Sequence, residues 1–389
     1  MKNSILITGI TIADAKEESF IGDLLLEDGK ISQVAKKLNV SAERHIDATD
    51  KNWTAFPGFI DIHIHGAAGH DVMDGTAEAL SGLAAALPKE GTTSFLATTM
   101  TQTESAISAA LQNIQAFKAQ EGQAQLVGVH LEGPFISDKR AGAQPIEHIM
   151  EPSLQLFAKW QKQSGDQIRV VTLAPETCNG SKVIKGLADT GVIASIGHSD
   201  ATLEEVQTAV RYGAKHVTHL YNQMSPLHHR NPGVVGAALV EDALSVEVIA
   251  DFIHSHPSAV ELAFRQKGAE RLILITDAMR AKGLSPGVYD LGGQDVQVTE
   301  KDARLADGTL AGSILTMDKA VQNIRSVTEC SVNELVAMTS ANAAHALGLS
   351  TKAKLKAGMD ADVAIVDDSF TVQMTICNGT IAYNKECQE

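Results

Sequence analysis

Cysteine is scarce in this sequence. Four occur in 389 residues, Cys178, Cys330, Cys377 and Cys387, and no two stand in a C-x-x-C spacing. That scarcity argues against a disulfide scaffold and a cysteine-based zinc site, and suits a reducing cytoplasm. Positive charge is short as well: 32 Lys and Arg against 47 Asp and Glu leave a net charge of -15. Such a chain is a poor non-specific ligand for nucleic acid or anionic lipid. No apolar run approaches the roughly 20 residues of a membrane-spanning helix. The start, MKNSILITGITIADAKEE, breaks its apolar stretch at Gly9 and Asp14 and lacks the basic start and long apolar centre of a signal peptide. No internal repeat or low-complexity tract is evident. What is left is an ordinary globular composition, 44% hydrophobic and 20% charged, in a chain long enough for one large domain plus a small one, or for two ordinary domains.

Both ends read as β structure. SILITG and TIADA are strand-like, and FIGDLLLEDGKISQV reads as two strands joined at Asp28-Gly29. Near the other end, ADVAIVDD is a strand and VQMTICNGTIAYN a hairpin with Asn378-Gly379 at its tip. We expect a small β-sandwich domain assembled from residues 1–55 and 350–389. The middle, 56–349, has a different rhythm. Eight strand candidates (FIDIHIHG, TSFLATT, LVGVHLEG, IRVVTLAPE, GVIASIGHSD, KHVTHLYN, SVEVIAD and RLILITDA) alternate with segments whose apolar residues recur at helical spacing. That is the pattern of an α/β fold of the (β/α)₈ TIM-barrel type. The helix between KHVTHLYN and SVEVIAD is expected to be short, from PGVVGAALVED. A Gly-rich insertion, Ala278 to Gly312, follows the eighth strand and precedes helix candidates from Met317 to Leu347.

The stretch PGFIDIHIHG places two histidines in an apolar run. Its period-two alternation puts Asp61, His63 and His65 on one face and Ile60, Ile62 and Ile64 on the other. Two neutral imidazoles at the end of a buried parallel strand can reach one metal ion, or they can be core histidines held by hydrogen bonds. The remaining strand ends bear on the choice. Strand three ends in Glu132, strand five in His198, strand six in His219 and strand eight in Asp277. Catalytic groups of such barrels stand at the C-terminal ends of the strands. Singly, a Glu after a strand is usually a surface residue, and Asp277 can be read as a helix cap. Jointly, five of the eight strand ends carry the imidazoles and carboxylates of a hydrolytic metal centre for Zn²⁺, Fe²⁺, Mn²⁺ or a similar ion. His45, His70, His148, His228 and His345 fall outside these ends and read as solvated or structural, and Trp53 and Trp160 as packing residues.

These residues carry a resemblance. PGFIDIHIHG, HLEGPF, SIGHSDA, VTHLYNQM and LITDAM resemble the amidohydrolase superfamily, and HLEGPFI…RAGAQ with THLYNQM resembles its N-acetylglucosamine-6-phosphate deacetylases over essentially the whole chain, through GMDADVAIVDDSF…ICNGT. The resemblance implies hydrolysis of an acetamide on a sugar phosphate, in amino-sugar catabolism and cell-wall amino-sugar recycling. It implies one or two divalent ions per subunit, with Glu132, His198 and His219 as principal ligands and His63 and His65 as the pair for a second. It implies Asp277 as general acid/base and His254 as the group polarising the acetyl carbonyl. Substrate contacts are implied at Ala143, Asn222, Gln223, Arg230 and His254 and along the backbone of Leu310, Ala311, Gly312 and Ser313. Arg230 is implied to reach the phosphate of a neighbouring subunit, hence a homodimer. The His228-His229 pair before Arg230 departs from the usual loop. Two other readings stay open on the residues alone: a deaminase or cyclic amidase with the same metal centre, and a barrel that binds a sugar phosphate without turnover. Many cyclic amidases use a carboxylated lysine between the metals; no strand end here carries lysine, and Glu132 stands in the bridging place.

Overall fold

Turn chemistry joins the two ends of the chain. The computed structural model describes residues 4–387. Strands Ser4–Ile12, Phe20–Glu27, Lys30–Ala35, Arg44–Asp47, Thr54–Pro57, Val363–Val366, Val372–Cys377 and Thr380–Asn384 form one eight-stranded sheet. Its apolar face encloses a separate core of Ile5, Ile7, Ile10, Leu24, Trp53, Val363 and Ile376. The two hairpins turn at Asp28-Gly29 (φ 50° and 78°) and Asn378-Gly379 (φ 47° and 80°), the left-handed pairs that Asn/Asp-Gly turns favour. The two tips touch. A Cβ on Gly379 would stand 2.9 Å from the Gly29 Cα, so only glycine fits there.

The middle of the chain folds as a barrel. Its strands are β1 (Phe59–Ile64), β2 (Thr92–Thr99), β3 (Gln125–Glu132), β4 (Ile168–Leu173), β5 (Ile193–Ile196), β6 (His216–Val217), β7 (Ser245–Ile249) and β8 (Leu272–Ile275). All pair in parallel with their sequence neighbours. Helices cover the outside: Ala77–Ala86, Glu104–Ala116, Leu154–Gln163, Gly180–Asp189, Leu203–Arg211, Gly233–Val240 and Pro257–Lys267, with Met317–Thr328 following the insertion. Thr76, Thr103, Ser153 and Thr202 cap four of them by accepting from the backbone amide three residues on. The Gly233–Val240 helix is short and apolar on every side, as its sequence requires. No helix among the described residues is long and apolar enough to cross a membrane.

The seam between β8 and β1 is closed in an unusual way. Only an isolated bridge joins Ile64 to Ala278, with the Asp277 amide donating to the His63 carbonyl (2.8 Å) and the His65 amide to the Ala278 carbonyl (2.9 Å). Below it, the carboxylate of Asp61 accepts from the Thr276 hydroxyl (2.5 Å) and amide (3.4 Å). Asp61 therefore does not join the two histidines. A register shift against β2 between Asp61 and Ile64 interrupts the alternation, and Asp61 serves the seam instead.

The insertion is more ordered than its glycines suggest. Strands Gly287–Leu291, Gln294–Val298 and Ala303–Arg304 form a small antiparallel sheet turning at Gly292-Gly293. The run GVYDLGGQDVQV carries that hairpin signal openly. The sheet lies over the barrel mouth, with Leu291 and Val296 packed on Met100 and Met279. Gln102 donates to the Gly292 carbonyl and Gln294 to the Ala143 carbonyl, each at 2.8 Å. The four cysteines are all unpaired.

Candidate metal centre and active site

At three strand ends the chain turns sharply at the polar residue. His198, His219 and Asp277 all have positive φ (48°, 30° and 48°). Non-glycine residues rarely adopt this backbone, which costs of order 1–3 kcal/mol and concentrates at functional sites. The turn follows each of these three strands and brings its side chain to the cavity.

Glu132 is the hub. Its Oε1 lies 3.1 Å from His219 Nε2, 3.3 Å from His198 Nε2 and 3.3 Å from His63 Nε2. Its Oε2 lies 3.2 Å from His65 Nε2 and accepts from the Gln144 amide at 2.7 Å. Asp277 Oδ1 stands 3.3 Å from His65 Nε2 and 3.4 Å from His63 Nε2. The ligand atoms of Glu132, His198 and His219 lie within 4.8 Å of one another, as do those of His63, His65 and Asp277.

Hydrogen bonding behind the rings decides which nitrogen faces inward. His198 Nδ1 donates to the Arg140 carbonyl at 2.8 Å, and His63 Nδ1 donates to the Glu247 carboxylate at 3.0 Å. Neither partner can donate in return, so in both neutral rings Nε2 carries the lone pair. Those lone pairs point at carboxylate oxygens, and His198 Nε2 also lies 3.1 Å from His219 Nε2. Acceptors facing acceptors at this range, in a buried site, repel unless a cation sits among them. The donor set therefore fits one divalent ion at Glu132, His198 and His219, and a second at His63 and His65.

The charges agree. Burial opposes charge on every member of the cluster, yet the carboxylates of Asp277 and Glu132 outweigh it and hold His63 well above the ordinary imidazole range and His65 up to about 10. Burial likewise opposes ionisation of Glu132 and Asp277, but the histidines hold Glu132 well below the carboxylate range and Asp277 down to about 2. The pocket is a trap for positive charge.

A cavity of about 340 Å³ opens above this cluster, lined by His65, Glu132, His198, His219 and Asp277 and also by Ala143, Asn222, Gln223, His254, Leu310 and Gly312. Arg230 does not line it. It is exposed on the loop after β6, its Nη1 2.6 Å from His229 Nε2. Ala311 and Ser313 are buried behind the wall; Ser313 ties that wall to Asp277 by donating its amide to the Asp277 carbonyl at 2.7 Å. A larger cavity, about 620 Å³, lies near the start of β8 beside Glu270 and His345 and brings together none of the metal-ligating groups.

Several residues that matter here were not singled out in the sequence. Asp251 accepts from His254 Nδ1 at 2.7 Å and from the His254 amide at 2.8 Å, so it aims the ring. Their i, i+3 spacing in ADFIH was the available signal. Glu247, fully buried within SVEVIAD, was a charged residue in a run predicted as a core strand. His130 is buried on the same strand as Glu132, its rings' nitrogens taken by the Ile62 carbonyl (3.0 Å) and the Thr172 hydroxyl (2.7 Å). Burial pushes His130 down to about 4, so it stays neutral and is not free to bind metal. Gln144 adjoins Ala143 in the RAGAQ run. Trp160 is fully buried against Phe135, a packing residue.

The Amidohydrolase family pattern is matched by residues 54–382. An N-acetylglucosamine-6-phosphate deacetylase of Lysinibacillus sphaericus is 50% identical over 379 residues, 97% of each chain. One of Bacillus subtilis (strain 168) is 48% identical over 401 residues, the whole of both chains. Among solved structures, a variant N-acetyl-D-glucosamine-6-phosphate deacetylase of Mycobacterium smegmatis, in complex with N-acetyl-D-glucosamine-6-phosphate, superposes with a TM-score of 0.90 at 29% identity, covering 98% of this chain and 100% of that one. With its barrel, its convergent strand ends and a match across most of its length, this chain belongs to the amidohydrolase family.

Proposed function

We propose that this protein hydrolyses the acetamide of N-acetyl-D-glucosamine 6-phosphate, giving D-glucosamine 6-phosphate and acetate. One observation carries the reading: groups able to activate water, polarise a carbonyl and protonate an amine all line a single cavity of about 340 Å³. That volume suits a small sugar phosphate. Full-length identity of about half to named deacetylases supports the substrate.

An amide resists hydrolysis because its carbonyl is a poor electrophile and its amine a poor leaving group. A divalent ion held by Glu132, His198 and His219, with a second position at His63 and His65, would supply Lewis acidity and lower the pKa of water toward neutrality. Asp277, ionised in this setting, takes a proton from the attacking water and returns it to the departing nitrogen. His254, aimed by Asp251, donates to the oxygen of the acetyl carbonyl as charge develops on it. Ala143, Asn222, Gln223, Leu310 and Gly312 hold the sugar so that the face of its acetyl carbonyl meets the water. Because Arg230 is exposed and outside its own cavity, we infer that it serves the site of a second copy in a homodimer, where its fork suits a phosphate. Cytoplasmic residence is supported by the four unpaired cysteines.

The test is product analysis. Purified protein loaded with Zn²⁺ or Fe²⁺ is incubated with N-acetyl-D-glucosamine 6-phosphate, and acetate and primary amine are measured. We expect equimolar release of both; ammonia from a nucleobase or cyclic amide, with no acetate from the sugar phosphate, overturns the reading.

A further inference from the structure

The proposed substrate carries a phosphate into a cavity whose chain-borne charges are largely carboxylates. Among the described residues that line it, Arg304 is the one arginine or lysine. It comes from the last strand of the insertion sheet, directly opposite Leu310, with which it forms an antiparallel bridge. Its guanidinium is fixed. Nε donates to Asp302 at 2.5 Å and Nη1 to the Gly308 carbonyl at 2.8 Å. No hydrogen bond occupies Nη2 among the described residues. Asp302 itself is anchored by the Thr299 hydroxyl at 2.7 Å. The side chain is about two-fifths exposed, open to a ligand yet held in one orientation. A planar fork whose conformational freedom is already spent loses little more on binding an oxyanion.

We propose that Arg304 is a specificity-determining residue that reads the anionic group of the substrate from within the same chain. This rests on the reading of the substrate as a phosphorylated amino sugar. Arg230 lies outside its own cavity, so Arg304 is the cation that the chain itself brings to that phosphate, beside the Arg230 inferred to come from a second copy. Arg304 also shares its wall with the Leu310–Ser313 segment, whose Ser313 bonds to the Asp277 backbone. Anchoring the phosphate there presses the substrate against the strand that carries the proton-transferring group, so binding energy distant from the amide aligns it.

The test compares wild type, Arg304→Gln and Arg304→Ala on N-acetyl-D-glucosamine 6-phosphate and on unphosphorylated N-acetyl-D-glucosamine, with inorganic phosphate as competitive inhibitor. The glutamine amide nitrogen stands where Nε does, so it keeps the latch to Asp302 and removes the charge and the Nη groups. In both variants we expect the ratio of kcat/KM for the phosphorylated over the plain sugar to fall about 10- to 100-fold, with KM carrying the loss and inhibition by phosphate weakening in parallel. A ratio within about twofold of wild type in both variants, or restored in Arg304→Gln alone, overturns the proposal. Wild type that releases no acetate from the phosphorylated sugar would instead overturn the functional reading.

Discussion

His63 Nδ1 lies 3.0 Å from Oε2 of Glu247, a fully buried carboxylate on β7 that also accepts from the His219 amide at 3.3 Å. One carboxylate thus fixes the ring of one candidate ligand and the backbone of another. Glu247→Gln can offer its amide in either orientation and loses that control. We expect metal affinity at the His63 side to fall about 10- to 100-fold, with the Glu132, His198 and His219 position still filled. Competition with a coloured chelator measures both. Two unchanged affinities would mean that Glu247 only fills the barrel.

Glu132→Gln should lose both metal and activity while the barrel stays folded, because a neutral amide replaces the carboxylate that faces all four histidines. Metal content, turnover and a far-ultraviolet spectrum on one preparation check this. Full occupancy with a near-normal rate would remove Glu132 from the centre.

His63→Asn with His65→Asn should lower metal from about two ions to about one per chain and leave measurable activity, since Glu132, His198, His219 and Asp277 remain. His198→Asn or His219→Asn should abolish both together. A wild type that binds one ion in excess metal, and keeps it in the double variant, would make His63 and His65 structural.

Arg230→Ala and Asp277→Asn should each be poorly active alone and recover activity when unfolded together and refolded. A mixed dimer contains one site with Asp277 intact and Arg230 supplied by its partner, if the arginine acts across the interface. No recovery, with mixed dimers present by native mass spectrometry, would place Arg230 in its own site.

His216 is buried on β6, and burial pushes its imidazole below the ordinary 6.5. Below that pH the unfolded chain binds a proton that the folded chain takes up only at lower pH. The stability present above pH 6.5 is therefore lost as pH falls toward the folded value, by up to about 1.4 kcal/mol per unit. His216→Gln should flatten urea-unfolding free energies between pH 5 and 6.5 relative to wild type, both with metal removed. Parallel curves would refute it.

Strand ends were legible because their pattern is local. FIDIHIHG alternates, LVGVHLEG and RLILITDA are apolar runs closed by one carboxylate, and Asp28-Gly29 and Asn378-Gly379 declare their turns. Such signals follow from backbone sterics and burial over a few residues, so the sequence by itself determined the barrel, the terminal sheet and the inward-facing His63, His65, Glu132, His198, His219 and Asp277. Closure of the barrel decided the rest. Glu247 meets His63 across 184 positions, Gln144 meets Glu132 only once the loop after β3 folds back, and Asp61 leaves its neighbours' face to join Thr276 at the seam. Arg304 faces the cavity because the insertion sheet lies over the mouth. Those partnerships depend on register and on which strands become neighbours around a closed sheet. No spacing along the chain encodes that: it arises when buried polar groups must find partners or forfeit a few kcal/mol each.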